Sequence, residues 1–499
     1  MICKNKIKKI ITSLIAFTLF INSANVSVFA TSSETEAEAE IEVEDENSVE
    51  TDENEEENTL PEVEIGATSA ILMDGKSGKV LYDKNANEMI YPASMTKILT
   101  ALVMLDYIAL DEYISIGYEI NEISLDSSRA GHEVGEVITG ENLLRGLIIP
   151  SGNESANVVA LNVALRETGR SYLEYSQAET IFMQLMNEKA VELGAVNTHF
   201  TTPHGYHDND HYTTAYDMAL ITQAAMEYDI IREIAMEIEY TGLSAGDDYK
   251  GDGKNVEHTW ISHNELIKNN GYYYPYATGL KTGFTSYAGN CLSATATNGD
   301  IELIAILSNS GDDPGRWLDA TTLFEYGFNN YQYYDILDTE TYVTEANVKN
   351  AVRGSEGKVQ IAPLEDISVL LNEDEFENII YTVDYLDAYK SNEVDEKGSP
   401  ILKAPLNKGE IIGTITYTLD KEVIYSGDIT PLEQVDARTF KSTFLYYFNQ
   451  AKSVLLSWYG IPIVISIIAV IYWGFLLIRK IRNGKRKYKK NRKGFKTKY

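Results

Sequence analysis

The sequence predicts a mixed α/β (α+β) body of enzyme size, followed by a small β-rich domain and one C-terminal transmembrane helix. Three observations carry this. A strand pair, a block of amphipathic helices, a block of strands and a closing helix follow one another between Ala67 and about Phe328. From about Ile336 the chain is strand-like with short turns. Near the end, Val454–Ile478 is an apolar run long enough for a bilayer, which needs about 20 residues.

The elements follow in order. Lys4, Lys6, Lys8 and Lys9 precede an apolar run from Ile10 to Ile21 and a small-residue stop at Val28–Ala30. That is the order of a secretory signal peptide, here 1–30, cut after Ala30. Cys3 leaves with it, so the mature chain keeps Cys291 alone and has no internal disulfide. Residues 31–64 hold 16 acids and no base, within a chain of net charge −33. Such a stretch has too little apolar surface to fold, so 31–65 is expected to be a disordered acidic spacer. It lacks the turn glycines that would fix calcium ligands.

"SAILMDGKSGKVLYDKNAN" reads as two strands joined at Gly75–Gly78. Pro92 punctuates, and an apolar helix begins around Ser94. "GENLLRGLIIPSGNESANVVALNVAL" reads as two helices broken at 150–153. "AETIFMQLMNEKAVELGA" and "TAYDMALITQAAMEY" are amphipathic helices. Strands then run from Tyr276 to Ser310, with turns at Tyr287–Gly289 and Asn298–Asp300, and a last helix is expected near Trp317–Phe328. These elements make a body over 66–335, a β-domain over 336–430 and a juxtamembrane amphipathic segment over 431–453. The span follows at 454–478. The tail, 479–499, has 12 Lys/Arg and no acid. Its position against a span assigns it to the cytoplasmic membrane face rather than to nucleic acid, with the body outside.

Ser94 and Lys97 carry the first chemical signal. Three residues apart on a helix, they share a face. A serine hydroxyl needs a base to become a nucleophile. Lysine serves as that base only when its pKa falls, through burial, a helix N-terminus or a second cation. Two further elements follow downstream. "PSGN" offers Ser151, Gly152 and Asn153 in a helix break. "GLKTGFT" places Lys281, Thr282, Gly283 and Phe284 at the start of a strand, where a glycine admits close backbone approach and an extended peptide pairs by strand addition.

S-x-x-K, an S-x-N element and K-T-G in this order form the motif set of β-lactamases and penicillin-binding proteins. With "FTTPHGYHDNDHYTTAYDMALI" and "APLNKGEIIGTI" alongside, the chain resembles the low-molecular-mass penicillin-binding proteins, the serine D-alanyl-D-alanine carboxypeptidases. The resemblance implies a transpeptidase-type fold, with an antiparallel sheet and a helical block. It implies a carboxypeptidase that trims the terminal D-alanine of peptidoglycan stem peptides and is acylated by β-lactams. Ser94 would be the nucleophile and Lys97 its base. Ser151 and Asn153 would complete the proton path and hold the substrate amide. Lys281 and Thr282 would meet the terminal carboxylate, helped by Arg316. The backbone N–H groups of Ser94 and Phe284 would form the oxyanion hole. No metal, cofactor or nucleic acid is implied; the partners are the stem peptide, β-lactams and the membrane.

The chain departs from the family pattern in places. Phe284 stands where many relatives carry histidine, Tyr216 where arginine is common, and His263 where a basic or small polar residue occurs; the last two fall outside the implied catalytic set. A β-lactamase would need a deacylating carboxylate in an E-x-x-L-N element, and "VVALN" at 158–162 lacks the acid. A wall-binding protein with a dead site is disfavoured by the full motif set. His204, His207 and His211 cluster with Asp208 and Asp210 in the manner of a metal site, but their spacing fits no helix-borne ligand motif.

Overall fold

The computed structural model describes residues 60–456 and 460–494. The expected signal peptide, most of the acidic spacer and residues 495–499 of the tail lie outside the described residues.

Five strands form the central sheet: β1 (Ser69–Asp74), β2 (Val80–Lys84), β3 (Ala277–Thr285), β4 (Gly289–Thr297) and β5 (Glu302–Ser308). They lie in the order β2-β1-β5-β4-β3, each pair antiparallel. All six residues of β1 are buried. Successive side chains alternate faces. Ile71, Met73, Ile304 and Ile306 enter one core cluster. Ala70, Leu72, Leu303, Ala305 and Leu307 enter another. Both faces are therefore covered, and this explains why the strands read as continuous apolar runs rather than as an alternation.

One cover is the helical block: α1 (Lys97–Tyr107), α2 (Gly140–Ile148), α3 (Asn153–Thr168), α4 (Tyr175–Glu192), α5 (Ala215–Met226) and α6 (Asp229–Met236). The first eight residues of α1 are all buried, so it runs through the middle of that cluster. Thr139 caps α2 by accepting from Asn142 N at 3.2 Å, and Thr214 caps α5 by accepting from Asp217 N at 2.9 Å. The other cover is α7 (Asp313–Asn330), which buries Trp317, Leu323 and Phe324. It begins four residues before the expected Trp317, because Asp312 caps it and Pro314 fits its first turn.

Residues 60–65 are irregular, and Val63 and Ile65 rest against the second cluster. The end of the expected spacer thus packs with the body. Beyond α7, Gln332–Leu337 pairs with Ile367–Leu371, and a seven-stranded sheet forms around Val359, Ile361, Leu402, Ile415 and Ile429. Lys79 Nζ ties β2's end to this region through Leu370 O (3.0 Å) and Glu375 Oε2 (2.5 Å). Helices cover Phe440–Leu456 and Gly460–Gly494, and Gly460–Asn483 is long and apolar enough to cross a membrane.

Candidate functional site

Ser94 lies in a single 3-10 turn, Ala93–Thr96, and the α-helix starts at Lys97. The turn is held from both sides. Ala93 sits at φ +48, in the left-handed region that a residue with a Cβ rarely adopts. Thr96 Oγ1 donates to Ala93 O at 2.8 Å and meets His211 Nε2 at 2.9 Å. Gly205, at φ +80, abuts the turn so closely that a Cβ there would lie 1.9 Å from Ala93 O. On the other flank a Cβ at Gly283 would lie 2.8 Å from Pro92 O and 3.3 Å from Ser94 N. Strand β3 and the serine turn are thus in backbone contact.

Lys97 is fully buried. Its Nζ has three oxygen partners: Ser94 Oγ at 2.9 Å, Asn153 Oδ1 at 2.7 Å and His204 O at 2.9 Å. Burial, then the nearby Lys281 ammonium, pushes Lys97 well below the ordinary lysine value, against the pull of Glu154. Asn153 is the first residue of α3, and its N–H donates to Ser128 O at 2.9 Å. Ser151 sits in the break before it at φ +59, with its buried Oγ free of any hydrogen-bond partner among the described residues.

Lys281, Thr282 and Gly283 lie on β3, opposite Ser293, Leu292 and Cys291 of β4. Lys281 is buried, and burial followed by the Arg316 charge lowers it to about 7. Its Nζ donates to Thr282 O at 3.1 Å. Arg316, on α7, reaches under β3: Nη1 donates to Gly283 O at 3.4 Å and Cys291 O at 3.5 Å, and Nη2 pairs with Asp313. Phe284, next along β3, is 64% exposed, so its side chain fills no part of the buried site.

Ser94, Lys97 and Asn153 are therefore in direct contact, and Gly283 touches the serine turn. Arg316 lies close enough to Lys281 for its charge to lower it. The loop after α4 contributes two features that the sequence motifs do not reveal: the His204 carbonyl on Lys97 and the Gly205 contact. A glycine in "PHGYH" is the available signal. The histidines of that loop are engaged separately. His211 Nδ1 accepts from Thr201 N at 3.0 Å, His204 Nδ1 accepts from Tyr206 N at 3.1 Å, and His207 stacks on Tyr287. His263 is lowered to about 4, by burial and then by Lys281, which puts it in the field of the site although it falls outside the implied catalytic set.

Chemically, the arrangement holds a hydroxyl against an amine biased toward its neutral form, beside a group of cations suited to an anionic substrate terminus. Comparison with known proteins agrees in kind. Residues 53–311 match the family described as D-alanyl-D-alanine carboxypeptidase, and residues 331–437 match the C-terminal domain of penicillin-binding protein 5. The D-alanyl-D-alanine carboxypeptidase DacF of Bacillus subtilis is 30% identical over 384 residues, 76% of this chain and 88% of the relative. DacC of Escherichia coli, of the same description, is 30% identical over 77% of this chain and 88% of its own length. The solved structure of penicillin binding protein 5 from Haemophilus influenzae superposes with a TM-score of 0.55 at 25% identity, covering 76% of this chain and all of that one.

Proposed function

The chain belongs to the D-alanyl-D-alanine carboxypeptidase family and is a serine enzyme of that activity; we propose that it removes the terminal D-alanine of peptidoglycan stem peptides through an acyl-enzyme on Ser94. The observation that carries this is the set of partners around Lys97. A neutral amine has two N–H groups and one lone pair. Asn153 Oδ1 and His204 O take the two protons, which leaves the lone pair facing Ser94 Oγ at 2.9 Å. Lys97 then accepts the Ser94 proton as Oγ attacks the penultimate D-alanine carbonyl.

The N–H groups of Ser94 and Phe284 receive the developing oxyanion. The proton passes to the departing amine, with the unpartnered Ser151 Oγ as the relay. Free D-alanine leaves, and water hydrolyses the ester. Lys281, Thr282 and Arg316 seat the terminal carboxylate, and Asn153 holds the substrate amide. A β-lactam presents a carboxylate and a reactive carbonyl in a related arrangement, so penicillin acylates the same serine. We assign Gly460–Asn483 as a single membrane anchor, with the body on the wall side and the basic tail in the cytoplasm. Export requires the signal peptide at 1–30.

The test is the acyl-enzyme itself. Full-length protein in detergent, mixed with labelled penicillin, should gain one penicilloyl mass on the peptide containing Ser94, and Ser94→Ala should gain none. The unmodified enzyme should release one D-alanine from a D-alanyl-D-alanine peptide. An adduct elsewhere overturns the assignment of Ser94; an adduct that clears within seconds points to a β-lactamase.

A further inference from the structure

We propose that His132, Glu136 and His258 form a binding site for a divalent transition metal of the zinc class, beneath the Ser151–Asn153 turn. The three side chains meet in the core although Glu136 and His258 are 122 positions apart. Their candidate ligand atoms all lie within 4.8 Å of one another, and all three residues are buried.

Each side chain turns one ligand atom toward the other two. Glu136 Oε2 is occupied by Glu133 N at 2.8 Å, which turns Oε1 toward both imidazoles. His258 Nε2 stands 2.7 Å from Oε1, and His132 Nδ1 stands 3.4 Å from it. The Nδ1 atom of His132 is buried and makes no hydrogen bond among the described residues, so once deprotonated it offers a lone pair to an ion in the cluster. Its other nitrogen, Nε2, meets Ser155 Oγ at 2.9 Å. A metal-bound histidine uses its second nitrogen in the same way, on a hydrogen-bonding partner that orients the ring. His258 is steadied by stacking on Trp260 (4.9 Å, 18°), whose Nε1 donates to Ala130 O at 2.7 Å.

Tetrahedral ligands about 2.0–2.1 Å from zinc stand about 3.3 Å apart. The Nδ1–Oε1 separation matches this, and the Nε2–Oε1 pair needs to open by only about 0.6 Å. Two imidazoles and one carboxylate favour zinc, nickel or copper over calcium or magnesium.

The location gives the site a consequence. The segment that carries His132 is bound to the start of α3 by three links: Asn153 N to Ser128 O at 2.9 Å, Gly131 N to Glu154 Oε1 at 2.7 Å, and His132 to Ser155. A metal clamping His132 to Glu136 and His258 fixes the segment on which Asn153, a partner of Lys97, rests.

Full-length protein in detergent, stripped by a chelator, should bind one zinc per chain in competition with a chromophoric chelator. Cobalt(II) loaded in its place should give the intense visible bands of a four-coordinate site. His258→Phe and Glu136→Gln should each weaken zinc binding by about 100-fold or more, with far-UV circular dichroism reporting the fold. His207→Asn, in the histidine-rich loop after α4, should change nothing. Zinc at saturation should raise the melting temperature by about 5 °C. Absence of binding up to millimolar zinc, or binding that survives in His258→Phe, overturns the proposal. If His258→Phe does not fold, Glu136→Gln and the cobalt spectrum decide. A six-coordinate spectrum of oxygen ligands assigns the metal to the acidic residues elsewhere and leaves the trio a hydrogen-bonded network only.

Discussion

Lys97 and Lys281 are both buried amines, yet the proposed chemistry needs them in opposite states. Lys97 must be neutral to accept a proton, while Lys281 must be charged to seat a carboxylate. Their environments separate the two roles, since Lys97 is pushed well below the ordinary value and Lys281 stops at about 7. In the free enzyme, kcat/KM therefore falls on the acid side as Lys97 gains a proton, and on the alkaline side as Lys281 loses one. Wild-type kcat/KM on an N-acetylated D-alanyl-D-alanine peptide should drop by up to about tenfold per pH unit above about 7. Lys281→Arg cannot lose its charge, so its profile should stay flat through that range at a lower plateau. An alkaline limb that persists in Lys281→Arg would show that another group controls it.

At the level of elements, the site depends on how closely a strand lies against a turn. Gly283 is not in a left-handed conformation, so its lack of a side chain serves space alone. Gly283→Ala places a methyl against Pro92 O and Ser94 N and pushes the Ala93–Thr96 turn off β3. We expect penicillin acylation to slow by about 10- to 100-fold while stability falls by only about 1–2 kcal/mol; stopped-flow acylation and thermal melts measure the two. An unchanged acylation rate would mean that the contact does not set the serine's position. Much of this architecture is legible in the chain. Strands β1 to β5 and the helix break at 150–153 can be read because apolar runs and turn residues are local signals. Ser94, Lys97 and Lys281 can be read because their motifs are short. The 3-10 geometry cannot, since the difference between Ser94 on an α-helix and in a tight turn comes from Gly205 and Gly283 pressing from distant segments. The His204 carbonyl is invisible for a further reason: a backbone oxygen has no letter in the sequence, and it reaches Lys97 from 107 positions away. The His132–Glu136–His258 cluster is hidden likewise, its members scattered over two segments.

For the molecule as a whole, charge and hydropathy are sorted along the chain: acids before residue 65, an apolar helix at Gly460–Asn483 and bases after it. The proposed topology makes protease added to intact protoplasts digest the body and spare the tail, as read by antibodies to each end. A protected body would reverse the orientation. Cys291 offers a view of the intact enzyme from inside. It is fully buried, its Sγ lies 3.8 Å from Tyr91 O just before the serine turn, and it faces Gly283 across the sheet. A thiol reagent reaches it only when β4 parts from its surroundings, so in a Cys3→Ser chain its labelling rate is a clock that counts how often the floor of the site opens. Acylation of Ser94 should slow that clock, and the moment it regains its original pace marks the lifetime of the ester.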